Sequence, residues 1–253
     1  MNDFVFNLKT TNVPDGSIGV FFLGQAGFVF KTPDEVLVAV DPYLSDCCNR
    51  YFGFKRLMPY IMSADDVIFD ELIITHAHYD HFDPDSVPAM MANGKTHLIG
   101  ALDTKAECDR LGIKGNITYI KDGDVVNSRG VKVEAVPCDH GSDTPDAIGL
   151  LITISNKTIY IMGDTAYRPD YLKNKKLSEV DLLILPINGA FGNLNEKQAA
   201  EVVSILKPKL AIPCHFWNFA EHGGNPAVFC KELKEIAPDV QYTMMRQGEG
   251  III

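Results

Sequence analysis

The sequence predicts an α/β protein in which mixed β-sheets are covered by helices. Three observations carry this. Short apolar runs of strand length alternate with segments of helical periodicity, the pattern of a layered α/β fold. Several neighbouring runs are joined by tight turns, so hairpins stand beside the βα alternation. Both halves of the chain pass from a β-meander to β/α alternation, a hint of duplication.

In chain order, Ile18–Phe30 reads as two strands broken at Leu23–Gly27, followed by a strand at Val36–Val40 after the turn Thr32–Glu35. Residues Ser45–Asp66 are irregular and rich in aromatics, which marks a functional loop inside a compact domain. Strands are expected at Glu71–Thr75, Thr96–Gly100, Ile117–Ile120 and Val131–Val136, with helices at Pro84–Met91 and Asp103–Leu111. A hairpin follows, Ile148–Ile154 and Thr158–Met162 around Ser155–Lys157. Then come a strand at Asp181–Pro186, a helix at Asn195–Leu206 capped by Asn195, a strand at Leu210–Pro213, a helix at Pro226–Ile236 and a strand at Val240–Met244.

The chain has 253 residues and no Gly/Ser- or Pro-rich linker, so residues 1–253 read as one domain. A domain of this length buries enough surface to need no disulfide staples. Its six cysteines are scattered with no CxxC pair, as in a reducing compartment. The N-terminal residues lack a basic region followed by an apolar stretch, and no run is long enough to span a membrane. A cytoplasmic protein is therefore expected. A formal net charge of −10 argues against an extended nucleic-acid partner, which would need clustered Lys and Arg.

The chemistry is concentrated in Thr75-His76-Ala77-His78-Tyr79-Asp80-His81, which places three histidines and an aspartate within six positions directly after an apolar strand. Imidazole and carboxylate together suit divalent zinc, manganese or iron. Histidines two apart do not share a helix face, so a strand-terminal loop fits better than a helical site. His140, Asp164 and His215 each follow a strand as well, and ligands in layered α/β proteins gather beyond strand ends.

His76-x-His78-x-Asp80-His81 followed by His140, Asp164 and His215 resembles the metal motifs of the metallo-β-lactamase-fold hydrolases, over essentially the whole chain. The resemblance implies a four-layer αβ/βα sandwich, two mixed β-sheets flanked by helices. It also implies two divalent metal ions, Zn or Mn, with Fe accepted by the same donors. On that reading His76, His78 and His140 hold one metal, Asp80, His81 and His215 hold the second, Asp164 bridges them, and Asp41 supports the metal loop. Leu23–Pro33, Asp41–Asp46, Met162–Pro169 and Ile212–Pro226 further resemble the branch containing L-ascorbate-6-phosphate lactonase.

The expected activity is hydrolysis of a lactone or ester in a small, anionic, sugar-phosphate-like metabolite by metal-activated hydroxide, which Asp80 orients. A phosphodiesterase or nuclease of the same fold is the alternative. His222, in a Gly-rich loop seven residues after His215, is a second catalytic candidate. Arg168, Lys55 and Arg56 are candidates for binding an anionic group, and Trp217 for walling the pocket, with exposed charge or core packing as the competing readings. His97 reads as structural. Cys214 is expected to point away from the metal and Cys138 to be able to face it. Leu23–Gly27 reads as a β-turn with its backbone near the metal loop, not as a dinucleotide fingerprint. The expected partner is a small molecule, with no membrane; the resemblance is compatible with a homo-oligomer.

Overall fold

The computed structural model describes residues 2–253. In chain order the strands are β1 (Gly19–Gly24), β2 (Gly27–Lys31), β3 (Leu37–Val40), β4 (Glu71–Ile74), β5 (His97–Ala101), β6 (Asn116–Ile120), β7 (Val125–Ser128), β8 (Val131–Pro137), β9 (Ile148–Ile154), β10 (Lys157–Ile161), β11 (Leu182–Pro186), β12 (Leu210–Cys214), β13 (Gln241–Tyr242) and β14 (Gly250–Ile252). The helices are α1 (Asp3–Thr10), α2 (Cys47–Phe52), α3 (Ser86–Met91), α4 (Thr104–Leu111), α5 (Glu196–Leu206) and α6 (Pro226–Ile236).

Two seven-stranded sheets result, in the orders β14-β1-β2-β3-β4-β5-β6 and β13-β12-β11-β10-β9-β8-β7. Each is mixed. In the first, β1, β2 and β3 pair antiparallel, and β3 to β6 pair parallel. In the second, β7 to β10 pair antiparallel, and β10 to β13 pair parallel. The meander-then-alternation pattern of each half is thus physical: each half of the chain supplies one sheet, with β14 returning to the edge of the first.

Strand alternation sorts the apolar residues into layers. Val20, Phe22, Phe28, Phe30, Val38 and Val40 of the first sheet share one core with Val133, Leu150, Ile152, Ile159, Ile184 and Ile212 of the second. The opposite faces carry separate cores. Phe21, Leu23, Val29 and Leu72 pack with Leu8 of α1 and Met90 of α3. Leu183, Leu185 and Ala211 pack with Val203 of α5 and Phe229 of α6. The four-layer αβ/βα sandwich follows. Among the described residues no helix is long and apolar enough to cross a membrane.

Most expected elements form within a residue or two of their predicted bounds. Four were not anticipated. β7 is short, polar and only partly covered, and β14 has three residues, so neither carries a period. α1 has eight residues, too few for a clear helical pattern. α2 lies inside the loop expected to be irregular. The last expected strand shrinks to Gln241–Tyr242. The Ser155–Lys157 hairpin forms because Ser155 and Asn156 both take the positive φ, 49° and 62°, that a tight two-residue turn requires.

The N-terminus of α5 is held by a capping box: the Asn195 side chain accepts from the Gln198 N–H at 3.0 Å, and the Gln198 side chain accepts from the Asn195 N–H at 3.0 Å. Asn195→Ala is expected to lower stability by about 1 kcal/mol, read by urea denaturation at neutral pH. An unchanged midpoint would mean that packing of α5 alone sets its start.

Candidate metal centre and cavity

The site forms where the C-terminal ends of β4, β8, β10 and β12 meet. β4 ends at Ile74 and releases the loop carrying His76, His78, Asp80 and His81. His140 lies three residues beyond β8, Asp164 three beyond β10, and His215 one beyond β12. Gly163 makes the turn into Asp164 with φ 65°, and a Cβ there would stand 3.1 Å from the Ile148 carbonyl. Gln25, Asp41, Phe191 and His215 are non-glycine residues that also take positive φ, 53°, 45°, 53° and 62°. Backbone strain is thus gathered around the cluster, as at sites where side-chain aim matters more than local comfort.

Asp41 fastens the loop. One carboxylate oxygen accepts from the Thr75 N–H at 2.8 Å; the other accepts from the Thr75 hydroxyl at 2.6 Å and faces Nδ1 of His81 at 2.8 Å. With Nδ1 of His81 turned to Asp41, its Nε2 faces the cluster. Asp83 extends the support by accepting from the Leu44 N–H, the Ser45 hydroxyl and the Ser86 hydroxyl. Asp103 accepts from the Ala77 N–H at 3.2 Å.

Two groups of donor atoms converge. Nε2 of His76 and Nε2 of His140 each lie 3.1 Å from Nδ1 of His78. In the second group, Nε2 of His215 lies 3.3 Å from Nε2 of His81 and 3.2 Å from Oδ2 of Asp80, and His81 Nε2 is 3.8 Å from the same oxygen. Asp164 stands between them: Oδ1 is 3.3 Å from His81 Nε2, while Oδ2 is 3.1 Å from His215 Nε2 and 3.7 Å from His140 Nε2. The seven residues expected as ligands from sequence are therefore all brought together, with Asp164 among them, and His222 groups with Asp80 and His215.

The donor set fits divalent metal. Asp164 Oδ1 is buried, and its contact with His81 Nε2 at 3.3 Å lacks the alignment of a hydrogen bond, although hydrogen bonding is the rule for such an atom. Facing imidazole nitrogens cannot all donate and accept among themselves, but all can offer a lone pair to a cation. The electrostatics agree. Burial opposes charge on His81 and His215, yet Asp164 and its fellow carboxylates outweigh it, raising His81 well above the usual histidine range and His215 to about 9. Burial likewise opposes ionisation of Asp80 and Asp164, but the neighbouring His81 and His215 hold both well below the usual carboxylate range. The second group thus stabilises positive charge, which a metal supplies in place of protons. Burial keeps His76, His78 and His140 below the usual range, so they remain neutral donors.

Beside the cluster lies a cavity of about 430 Å³. His78, Asp80, His140, Asp164, His215 and His222 line it together with the rings of Phe52, Phe54, Tyr79, Phe191 and Phe219. His222 reaches the site as expected, stacked on His215 with ring centroids 4.8 Å apart and planes 9° off parallel. Gln25 does more than the turn expected of it. Its carbonyl accepts from the His215 N–H at 2.7 Å, so the backbone lies where expected. Its buried side chain adds a second role: Nε2 donates to Asp80 at 2.8 Å and lies 3.2 Å from Nδ1 of His222. Asn193, which carries no signal in the sequence, also belongs to the site; its amide donates to Asp164 Oδ2 at 2.7 Å.

The four substrate-binding candidates are placed otherwise. Arg168 pairs with Asp139 at 2.5 Å and Asp170 at 3.2 Å, so its guanidinium is already engaged. Arg56 is buried, donates to the carbonyls of Tyr43 and Met58 and lies over the Tyr43 ring, which makes it a brace for its loop. Lys55 is exposed and does not line the cavity. Trp217 is 54% exposed and borders a different hollow with Phe22 and Met58, neither walling this cavity nor filling a core. Among the described residues no lysine or arginine lines the cavity, so none of the expected cationic side chains is placed to bind an anionic group there. Cys214 points into the shared core as predicted, and Cys138 Sγ turns to the Asp164 carbonyl at 3.0 Å. His97 is structural, 2.8 Å from Glu71 and 2.9 Å from Thr118.

Comparison with known proteins agrees with this architecture. Residues 19–215 match the family described as a beta-lactamase superfamily domain. A UPF0173 metal-dependent hydrolase of Methanopyrus kandleri is 27% identical over 240 residues, covering 91% of this chain and 98% of its own. The structure of Igni18, a metallo hydrolase of Ignicoccus hospitalis, aligns with a TM-score of 0.74 at 21% identity over 94% of this chain and 98% of that one. The metallo-beta-lactamase fold protein YhfI of Bacillus subtilis aligns with a TM-score of 0.71 at 17% identity over 93% and 99%.

Burial first, and then the charge of His215, lower the His222 pKa to about 4. In the metal-free protein its ring should therefore stay neutral as pH falls through 6, where a solvated imidazole becomes protonated. Following its ring resonances by NMR tests this; a midpoint near the ordinary ~6.5 would contradict the burial.

Proposed function

The chain belongs to the beta-lactamase superfamily domain family, and on that premise we propose that it is a metal-dependent hydrolase of small carbonyl compounds, esters or lactones. The observation that carries the reading is the convergence of seven histidine and aspartate side chains, with Asp164 between them and with His78, Asp80, His140, Asp164 and His215 lining a small cavity. The similarity to proteins described as metal-dependent hydrolases supports it. The lactone or ester preference rests on the sequence resemblance to the lactonase branch.

His76, His78 and His140 would hold one metal; Asp80, His81 and His215 the other; Asp164 would touch both. A divalent ion such as Zn, Mn or Fe, when bound, brings the pKa of water from ~15.7 to about 7 and draws electron density from the attacked carbonyl. The protein supplies the rest. In the reaction a water oxygen bonds to the carbonyl carbon, the bond from that carbon to the alkoxy oxygen breaks, and one proton moves from the water to the departing oxygen. Asp80, kept ionised by His81 and His215, is the group placed to accept that proton and pass it on. The Gln25 amide holds one Asp80 oxygen and leaves the other for this work. With its Nδ1 3.2 Å from the same amide nitrogen, His222 in the tautomer with hydrogen on Nε2 would donate to a substrate oxygen. The substrate is a small molecule, because the cavity of about 430 Å³ admits little more.

Zinc- and manganese-loaded protein should hydrolyse members of an ester and lactone panel and leave phosphodiesters untouched. Asp80→Asn should lower kcat by about 100-fold or more, with metal content followed in parallel. Turnover of phosphodiesters alone would transfer the site to the phosphodiesterase class. Full activity of Asp80→Asn with metal bound would remove the proton-transfer role.

A further inference from the structure

Resting on the hydrolase reading above, we infer that the site takes an uncharged substrate bearing a flat, aryl-sized apolar group beside the bond it cleaves. Five rings from four separate segments line the cavity beside the histidines and carboxylates. Phe52 and Phe54 come from α2 and the turn after it, Tyr79 from the histidine loop, Phe191 from the β11–α5 connection, and Phe219 from the loop after β12. They make a continuous arc. Phe52 lies 5.5 Å from Tyr79 and 6.2 Å from Phe54, and Phe54 lies 5.7 Å from Phe191 and 6.1 Å from Phe219. The arc closes on the polar side through His222, 5.2 Å from Phe191 and 4.9 Å from Phe219.

Folding alone does not account for this wall. Phe52 and Phe191 remain 57% and 58% exposed, so their apolar area is left in water, where a ligand can remove it. The wall runs without interruption into the reactive cluster, which sets the apolar group directly beside the attacked carbon. Rings at these separations accept another ring edge-on or offset.

The aromatic side offers an anion no partner. Of the nearby cations, Arg168 is engaged by Asp139 and Asp170, Arg56 by backbone carbonyls, and Arg110 by Glu107 and the Tyr79 hydroxyl, while the exposed Lys55 does not line the cavity. A phosphate or carboxylate on the apolar part of a substrate would lose its hydration with no partner to replace it. The sugar-phosphate type of substrate expected from sequence is therefore disfavoured, while hydrolysis of an ester or lactone is retained.

The test uses binding, so that it does not depend on turnover. Metal-loaded protein is titrated calorimetrically with acetohydroxamate, benzohydroxamate and 4-carboxybenzohydroxamate, which share one metal-binding head. Benzohydroxamate should bind about tenfold or more tighter than acetohydroxamate, from burial of its ring against the wall. The added carboxylate should weaken binding about tenfold or more. In Phe191→Ala and, separately, Phe52→Ala, the ratio of benzo- to acetohydroxamate affinity should fall toward one. Both positions are exposed, so loss of folding is not expected to intervene, and circular dichroism checks it. Equal affinity for the first two ligands, or tighter binding of the carboxylated one, would overturn the substrate class and leave the metal centre standing. If none of the three bound, the metal-centre reading itself would fail and the inference with it. A dimer in sedimentation velocity that benzohydroxamate dissociates would show the rings to be covered by a second copy, and would also overturn the inference.

Discussion

A single buried carboxylate organises the catalytic end of this protein. Asp41 ends β3 in a left-handed conformation, takes two hydrogen bonds from Thr75 at the end of β4, and aims His81. Those contacts bind adjacent parallel strands to the loop that carries four of the seven donors. A carboxylate accepting a backbone N–H and a hydroxyl while facing an imidazole at hydrogen-bond distance is well compensated for its burial, which an unpaired charge would not be. The second sheet then needs only to deliver His140, Asp164 and His215 from its own strand ends, and the shared core fixes the distance between the two sheets.

The division of labour follows from this geometry. Sheets and core determine where the strand ends lie, while short strained turns determine where individual side chains point. The positive φ values at Gln25, Asp41, Phe191 and His215 turn two residues into the cluster, one behind it and one across from it. Electrostatics then separate the roles. His76, His78 and His140 are neutral by burial, whereas Asp80, Asp164, His81 and His215 form a charged network that favours a cation. The aromatic side of the cavity is formed by uncharged rings and governs what can approach.

Much of the site was legible in the sequence because metal ligation needs particular atoms at particular places. Three histidines and an aspartate in six positions after an apolar strand put imidazole and carboxylate donors within reach of one point, and His140, Asp164 and His215 shared the same strand-end setting. The layered fold was legible through alternating runs, except where elements were short or polar, as in β7 and β14. Substrate contacts were not legible. Arg168, Lys55 and Arg56 were charged and near the motifs, but sequence does not say which acid or carbonyl a guanidinium will meet first. Gln25 was hidden because a glutamine in a turn has no signature. The rings of Phe54 and Phe191 were hidden because apolar residues in a loop read as packing until their neighbours are known.

The proposed chemistry depends on metal being held by the convergent side chains. Its most direct test is the metal content of the purified protein by plasma mass spectrometry, compared with His76→Ala and Asp164→Ala. The geometry predicts about two divalent ions per chain, about one in the His76 variant, and further loss when the shared carboxylate is removed. No stoichiometric metal after loading with zinc, manganese or iron would contradict a metal centre, and proton-mediated contacts alone would then have to hold the cluster together.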